Sequence, residues 1–517
     1  MKRLSRVLRH FSTSPTHVAP HNAKVSASMA GSTAITSDAF NIFREALKAA
    51  DPVEAISRAL SVEDQQLTVR GTEVTEPLLF DLRQFSRVCV VGAGKASTAM
   101  AKSVENILGP SISDGQIITK YGHHKSTGEA LRTIRVREAA HPVPDDTGVA
   151  HTEAMMDLIR SYASPTTLVL CLMSGGGSAL MCAPQAGISL RDLQATSQAL
   201  LGCGASIHEL NTIRKHVERS KGGRLAQLAH PSTLVSLILS DVIGDTLDVI
   251  ASGPTVMDKS TFADCARILD KYQLHQKLPT SVLLHLKRGA VSALIRTRPD
   301  RLLVGDAQFR RCHSVVVGSN ALSLMAAKKQ AESLGYHTAI LSRFVEGEAV
   351  EVAKKVVPSL LEIQMFGQPL SLPACLLAGG EVTVTLGTQT GACRVFTTSA
   401  QTKGGRCQEM ALACAKVPAR RKHRTKELSG LGDGVAVLCG GTDGNDGPTD
   451  AAGACVTGDT ASVAKTKKLS VVDHLARHTS YHFFQKLEQT NEQGGHLITG
   501  PTGTNVMDIY MILVKSI

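Results

Sequence analysis

Short runs of β-branched and aliphatic residues recur along the chain, each ending in a glycine or a polar turn: 87–91, 116–119, 133–136, 167–173 and 234–239. Between most of them apolar residues return at helical spacing. Strand alternating with helix predicts a mainly parallel sheet covered on both faces. In such sheets ligands gather where loops leave the carboxyl ends of the strands. A further strand–helix–strand unit is predicted from 314–320 through 337–342, followed by a helix over 345–365. After Pro373 the rhythm changes. Strand signals at 374–378, 382–386 and 394–398 leave little room for helices, which predicts a more antiparallel or mixed sheet beyond a boundary near 368. Upstream, Ser37 can cap a helix to about Ala50, Asp51-Pro52 reads as a second helix start, and Ser206…Glu209 forms a capping box.

The 517 residues exceed what one hydrophobic core supports, so two or three domains are expected. Nothing approaches the roughly 18 unbroken apolar residues of a membrane span, so no membrane partner is expected. The formal charge of +11 could point to nucleic acid, but its distribution does not. Lys2, Arg3, Arg6, Arg9 and Lys24 precede the first acidic residue, Asp38, and six more cations crowd into Lys416–Lys426. The remainder is nearly neutral, and no RNA-binding or zinc-finger pattern occurs. The twelve cysteines form no CxxC pair, which fits a reducing compartment. Residues 1–36 have the basic, acid-free composition of a mitochondrial transit peptide, with Leu4, Val7, Leu8 and Phe11 on one helical face. A basic tail on a cytoplasmic protein is the alternative.

Several loops could carry chemistry. Gly92-Ala93-Gly94-Lys95 follows a buried strand and opens a helix, a context suited to an anion, although neither P-loop nor dinucleotide spacing is met. Ser174-Gly175-Gly176-Gly177-Ser178 follows the most apolar strand and offers approachable backbone amides. Asn211 and Arg214 lie on the helix begun at Ser206, where Arg214 could grip a carboxylate. Asp241 and Asp245 follow a strand, and Gly440–Asp450 carries Asp443 and Asp446, acids of the kind that hold Mg²⁺. Gly404-Gly405-Arg406 and Thr502–Asp508 complete the set. Glycine loops with one lysine, one arginine and several aspartates suit phosphoryl transfer, where catalysis is positioning plus charge neutralisation.

These motifs together resemble the glycerate 2-kinases with a C-terminal MOFRL domain. The resemblance rests on GAGKAS at 92–97, HPVPDD at 141–146, MSGGGSALM at 173–181, ELNTIRKH at 209–216, KGGRLAQ at 221–227, LSDVIGD at 239–245, ASGPTV at 251–256, GGRCQEMAL at 404–412, GGTDGNDGPTDAAGA at 440–454 and GTNVMD at 503–508. It implies a Rossmann-like α/β N-terminal domain, a smaller mixed α/β C-terminal domain and an active site in the cleft between them. The expected division is a targeting segment at 1–36, domains at 37–290 and 368–517, and a connecting α/β segment at 291–367.

The resemblance also implies ATP- and Mg²⁺-dependent phosphorylation of D-glycerate to 2-phosphoglycerate, with Lys95 and Arg406 catalytic. To these we add Asp443 as a catalytic or metal-binding group. Ser174, Gly175, Gly176, Gly177, Ser178, Asn211 and Arg214 are expected to hold the nucleotide or substrate, and Asp241, Asp443 and Asp446 the metal. Cys407 departs from the family's usual asparagine. The expected partners are the two small molecules, with homo-oligomerisation left open. An NAD(P)-dependent hydroxypyruvate reductase is the rival, weakened because the strand after Gly94 ends in Lys120-Tyr121 rather than an acid. A non-catalytic sensor would not need both Lys95 and Arg406.

Overall fold

The computed structural model describes residues 26–71, 76–123, 130–295, 306–386, 402–416, 418–419, 428–429, 431–487 and 494–515. Most of the expected targeting segment and of the basic 416–426 stretch lies outside these residues.

A small antiparallel sheet, β1 (Leu60–Glu63), β2 (Gln66–Val69) and β3 (Leu78–Asp81), precedes the first large sheet. That sheet is wholly parallel and comprises β4 (Arg87–Ala93), β5 (Asp114–Lys120), β6 (Ile134–Ala139), β7 (Thr167–Met173), β8 (Thr233–Leu239) and β9 (Cys312–Gly318), in the spatial order β6-β5-β4-β7-β8-β9. The chain runs outward from β4 to one edge, then returns to β7 and runs to the other. This is the doubly wound arrangement, with its switch point between β4 and β7. Every side chain of β7 and β8 is buried, because helices cover both faces and no strand position is left for a polar side.

The second large sheet is mixed. It contains β10 (His337–Glu348) and β11 (Ala374–Thr383), which pair in parallel. The two-residue strands β12 (Pro418–Ala419) and β13 (Leu428–Ser429) form a separate pair. Then β14 (Val435–Gly441), β15 (Gly453–Thr457), β16 (Gly495–Leu497) and β17 (Asp508–Val514) complete the mixed sheet antiparallel, in the order β10-β11-β17-β14-β15-β16. The helices Ala349–Phe366 and Arg406–Lys416 pack on one face.

The chain divides differently from the expected boundaries. Of the connecting segment 291–367, β9 completes the first sheet, and β10 with its following helix belongs to the second. The helix Ser26–Ala50 runs on through Ser37 and serves the second sheet: Ile35, Ile42 and Phe43 pack with Leu324, Leu377, Leu438 and Ile509. A helix whose apolar stripe is complete must bury it somewhere, and the uncovered face of the mixed sheet takes it. The helix expected from 345 starts at Ala349, because β10 continues through Glu348 beside β11. The Asp51 cap and the Ser206–Glu209 capping box form as expected. No described helix is long and apolar enough to cross a membrane.

Candidate active site

At the switch point the two glycine loops lock together. Lys95 N donates to Gly175 O (2.9 Å), Ala96 N to Ser174 Oγ (3.0 Å) and Gly94 N to Ile118 O (3.0 Å). The amides expected to greet an anion at this helix start are therefore spent on the protein, and Ser174 is spent with them. A side chain on Gly94 (φ 146°) would run into Ser174, so only glycine permits the contact. What the loop offers is the Lys95 side chain, half-buried, with no hydrogen-bond or ion-pair partner among the described residues. The amides of Gly175 and Gly176 likewise have no described protein acceptor.

The surroundings of this loop are polar and crowded. Gly175 presses against the Asp241 carboxylate, and a methyl on Gly176 (φ 84°) would lie 2.9 Å from His141 Nε2 and 3.5 Å from Lys95 Cγ. His141 stays neutral: burial, reinforced by Lys95, Lys120 and His123, pulls its pKa down to about 4. Burial raises Asp241, with the Lys95 ammonium opposing. Ser178 Oγ meets Ser252 Oγ (2.8 Å), which donates to Asn211 Oδ1 (2.9 Å). Asn211 thus braces the loop rather than facing the cleft. Ala251 and Ser252 hold left-handed backbone (φ 50° and 61°), a strain that only a tightly packed surround sustains. Beneath the loop, fully buried Lys221 donates to Ser178 O, Met181 O and Glu218 Oε2. Arg214, one turn beyond Asn211, is half-buried with no described hydrogen-bond partner. Burial lowers its pKa, and Glu218 partly restores it.

The second sheet contributes Arg406, first residue of its helix. Its Nε and Nη2 grip Asp508 (2.6 and 2.9 Å), and Nη1 reaches Glu381 (2.9 Å). Burial alone would lower its pKa, but Asp508 and Glu381 outweigh it and raise it. Tyr510 donates to Asp508 Oδ2 (3.0 Å) and accepts from Val382 N (3.1 Å), tying the two carboxylate-bearing strands together. Asp443 lies on the loop after β14, clamped by the 502–507 segment through Thr502 Oγ1 to Thr442 O (2.6 Å) and Thr442 Oγ1 to Met507 O (2.7 Å). Burial raises the Asp443 pKa, opposed by the Asn445 amide and then by both Lys95 and Arg406. One carboxylate therefore lies in the field of a lysine from the first sheet and an arginine from the second.

Asp446 is placed otherwise. Its oxygens accept the amides of Cys407 (3.0 Å) and Gln408 (2.8 Å), capping the Arg406 helix from a neighbouring loop. Burial pushes its pKa up to about 7 against those bonds. Cys407 points into the core and is fully buried. Among the described residues no three His, Cys, Asp or Glu side chains gather closely enough to cage a metal alone.

Reading the sequence for charge and glycine singled out Lys95, Arg406, Asp443 and Asp241; Lys95 acts electrostatically on both aspartates, and Arg406 on Asp443. It did not single out His141, Lys221, Glu381 or Tyr510. His141 and Lys221 lay inside quoted motifs, whereas Tyr510 gave no signal within an apolar strand.

Residues 38–287 match a family described as a domain of unknown function (DUF4147), and 374–508 match the MOFRL family. The chain is 39% identical to a glycerate 2-kinase of Pyrococcus horikoshii over 91% of its own length and 96% of that protein's. It is 34% identical to a Homo sapiens glycerate kinase over 99% of each. A crystal structure of glycerate kinase from Thermotoga maritima superposes with a TM-score of 0.74 at 32% identity, covering 93% of this chain and 99% of that one. With two domain families in register and the fold shared end to end, the chain belongs to the glycerate kinase family.

Proposed function

We propose that this protein transfers the terminal phosphoryl group of ATP to the 2-hydroxyl of D-glycerate, giving 2-phosphoglycerate and ADP. What carries this is that Asp443 lies in the field of both Lys95 and Arg406, which come from separate sheets, while Arg406 is already fixed by Asp508 and Glu381. Phosphoryl transfer needs cations fixed around the moving group rather than a covalent intermediate. Lys95, unengaged by the described protein, is positioned to meet phosphoryl oxygens. Arg406 is held in place by two carboxylates before any ligand arrives, so little reorganisation accompanies the reaction. The Gly175 and Gly176 amides suit the same oxygens, and Arg214 suits the carboxylate of the acid.

Asp443, its pKa raised by burial, is our choice for accepting the hydroxyl proton as the new O–P bond forms and the bond to ADP breaks. Asp241 fits a divalent cation, since no hydrogen bond is described to its carboxylate from another residue, whereas Asp443, whose one described carboxylate bond is from the Asn445 amide (3.1 Å), keeps a lone pair for the hydroxyl proton. Mg²⁺ held there, at Asp241, would offset phosphate charge. Asp446, engaged by helix amides, we assign to structure. The expected targeting segment 1–36 overruns the Ser26–Ala50 helix, whose Ile35 is buried in the core, so we assign only residues 1–25 to mitochondrial targeting, which a fluorescent-protein fusion with and without them tests by location.

The reaction is tested by incubating the protein with D-glycerate, ATP and Mg²⁺ and following products by ³¹P NMR. A 2-phosphoglycerate resonance appearing with ADP is expected. Absence of ADP, with NAD(P)H consumed when hydroxypyruvate is supplied, would replace this reading with the reductase.

A further inference from the structure

Beside Arg406 lies a cavity of about 570 Å³, with Lys95 not among its lining residues. Its apolar lining comes from both halves of the chain: Ile243 from the loop after β8, Val382 from the end of β11, Val384 and Leu386 just beyond it, and Pro448 from the Asp443 loop. Small-molecule sites fall in this size range and combine apolar walls with a few fixed polar groups. Arg406 is one of those groups here, already paired with Glu381 and acting on Asp443. Along the helix, Glu409 is buried against His478 (3.1 Å). At the rim, Glu346 is exposed.

The charges decide what can sit there and which way round. A polyphosphate lying wholly inside would face Glu346, Glu381 and Glu409 with Arg406 as the strongest cation on the lining. A flat heterocycle suits the aliphatic walls, and a carboxylate at the mouth suits ribose hydroxyls, which are hydrogen-bond donors. Resting on the kinase reading above, we propose that this cavity receives the base and ribose of the nucleotide. The polyphosphate then leaves past Arg406 toward Asp443 and Lys95. The Gly175–Gly177 loop meets phosphate oxygens and not the nucleoside, which separates the two substrates onto the two sheets.

The chain contains no tryptophan, so Ile243→Trp introduces a single fluorescent reporter at the cavity wall. ADP is expected to change its emission saturably, whereas inorganic triphosphate, which lacks the base, leaves it unchanged. A second variant, Val384→Trp, fills the cavity. It is expected to raise KM for ATP about tenfold or more while KM for D-glycerate stays within about twofold. Two results would overturn the proposal: Val384→Trp melting like wild type with an unchanged KM for ATP, or calorimetric ADP binding that leaves the Ile243→Trp reporter silent. If Val384→Trp does not fold, the reporter titration decides alone. It requires no turnover, so it is separable from the kinase reading. A silent reporter in a protein that makes phosphoglycerate moves the nucleoside elsewhere and leaves the reaction standing. A responding reporter in a protein that makes none does the reverse.

Discussion

Lys221 offers the sharpest test of how the active-site loop is held. Its ammonium is fully buried and its partner Glu218 is 6% exposed, the two joined at 2.8 Å. Two further bonds, to Ser178 O (2.8 Å) and Met181 O (2.9 Å), fasten the end of the triple-glycine loop. Lys221→Met keeps the length of the aliphatic stem but removes all three contacts and leaves Glu218 charged beneath the surface. Removing one member of a buried pair costs about 3–5 kcal/mol, mostly from the stranded charge rather than from the lost attraction. Arg214 lies in the field of Glu218 and offsets part of this, which favours the lower end. At about 2 °C per kcal/mol for a unit of roughly 250 residues, Tm falls by roughly 6–10 °C. The double variant Lys221→Met/Glu218→Gln removes the stranded charge and should melt above the single one. Differential scanning calorimetry of wild type, Lys221→Met, Glu218→Gln and the double variant measures this cycle. A Lys221→Met protein melting within about 1 °C of wild type, or a double variant less stable than Lys221→Met, would refute the reasoning.

Other expectations follow from the same geometry. Lys95→Ala should fold normally, since its ammonium supports no described contact, yet lose about 10²–10³ in kcat/KM, measured by coupled ADP release. Arg214→Met should raise KM for D-glycerate about tenfold or more and leave KM for ATP nearly unchanged; an unchanged D-glycerate KM removes its carboxylate role. His141, with its pKa drawn down to about 4, stays neutral while the unfolded chain takes up a proton near pH 6.5, so folded stability is lost as pH falls through that window. His141→Gln should therefore reduce the drop in Tm between pH 7 and 5, by an amount equivalent to about 1–2 kcal/mol. Tyr510→Phe frees Asp508 and Val382 together, so kcat should fall with little change in either KM, while Tm drops by the equivalent of about 1–2 kcal/mol; equal KM losses for both substrates would contradict its role in positioning Arg406.

The sequence by itself determined the parallel sheet. Runs such as 167–173 and 234–239 are apolar at every position but Thr167 and Ser236, because both faces of β7 and β8 are covered. Local caps were equally legible, since Asp51 and Ser206 act on amides within three residues of themselves. Candidate chemistry was visible where charge and glycine sit in short loops, as at Lys95 and Arg406. Tertiary structure alone decided the rest. That the helix Ser26–Ala50 serves the distant mixed sheet, and that β9 and β10 part company, depends on which apolar faces remain open once both sheets exist. Asp443 and Asp446 look alike in one loop, yet one faces the cleft and the other caps a helix, because the packing of that loop against the Arg406 helix assigns each side chain its direction. Tyr510 was silent in the sequence because its hydroxyl matters only through Asp508 and Val382, and the pairing of β17 with β11 brings these within reach. Periodicity and capping follow from contacts a few residues apart, and the chain spells them out. A site assembled from two sheets depends on contacts hundreds of residues apart, which only the folded chain makes.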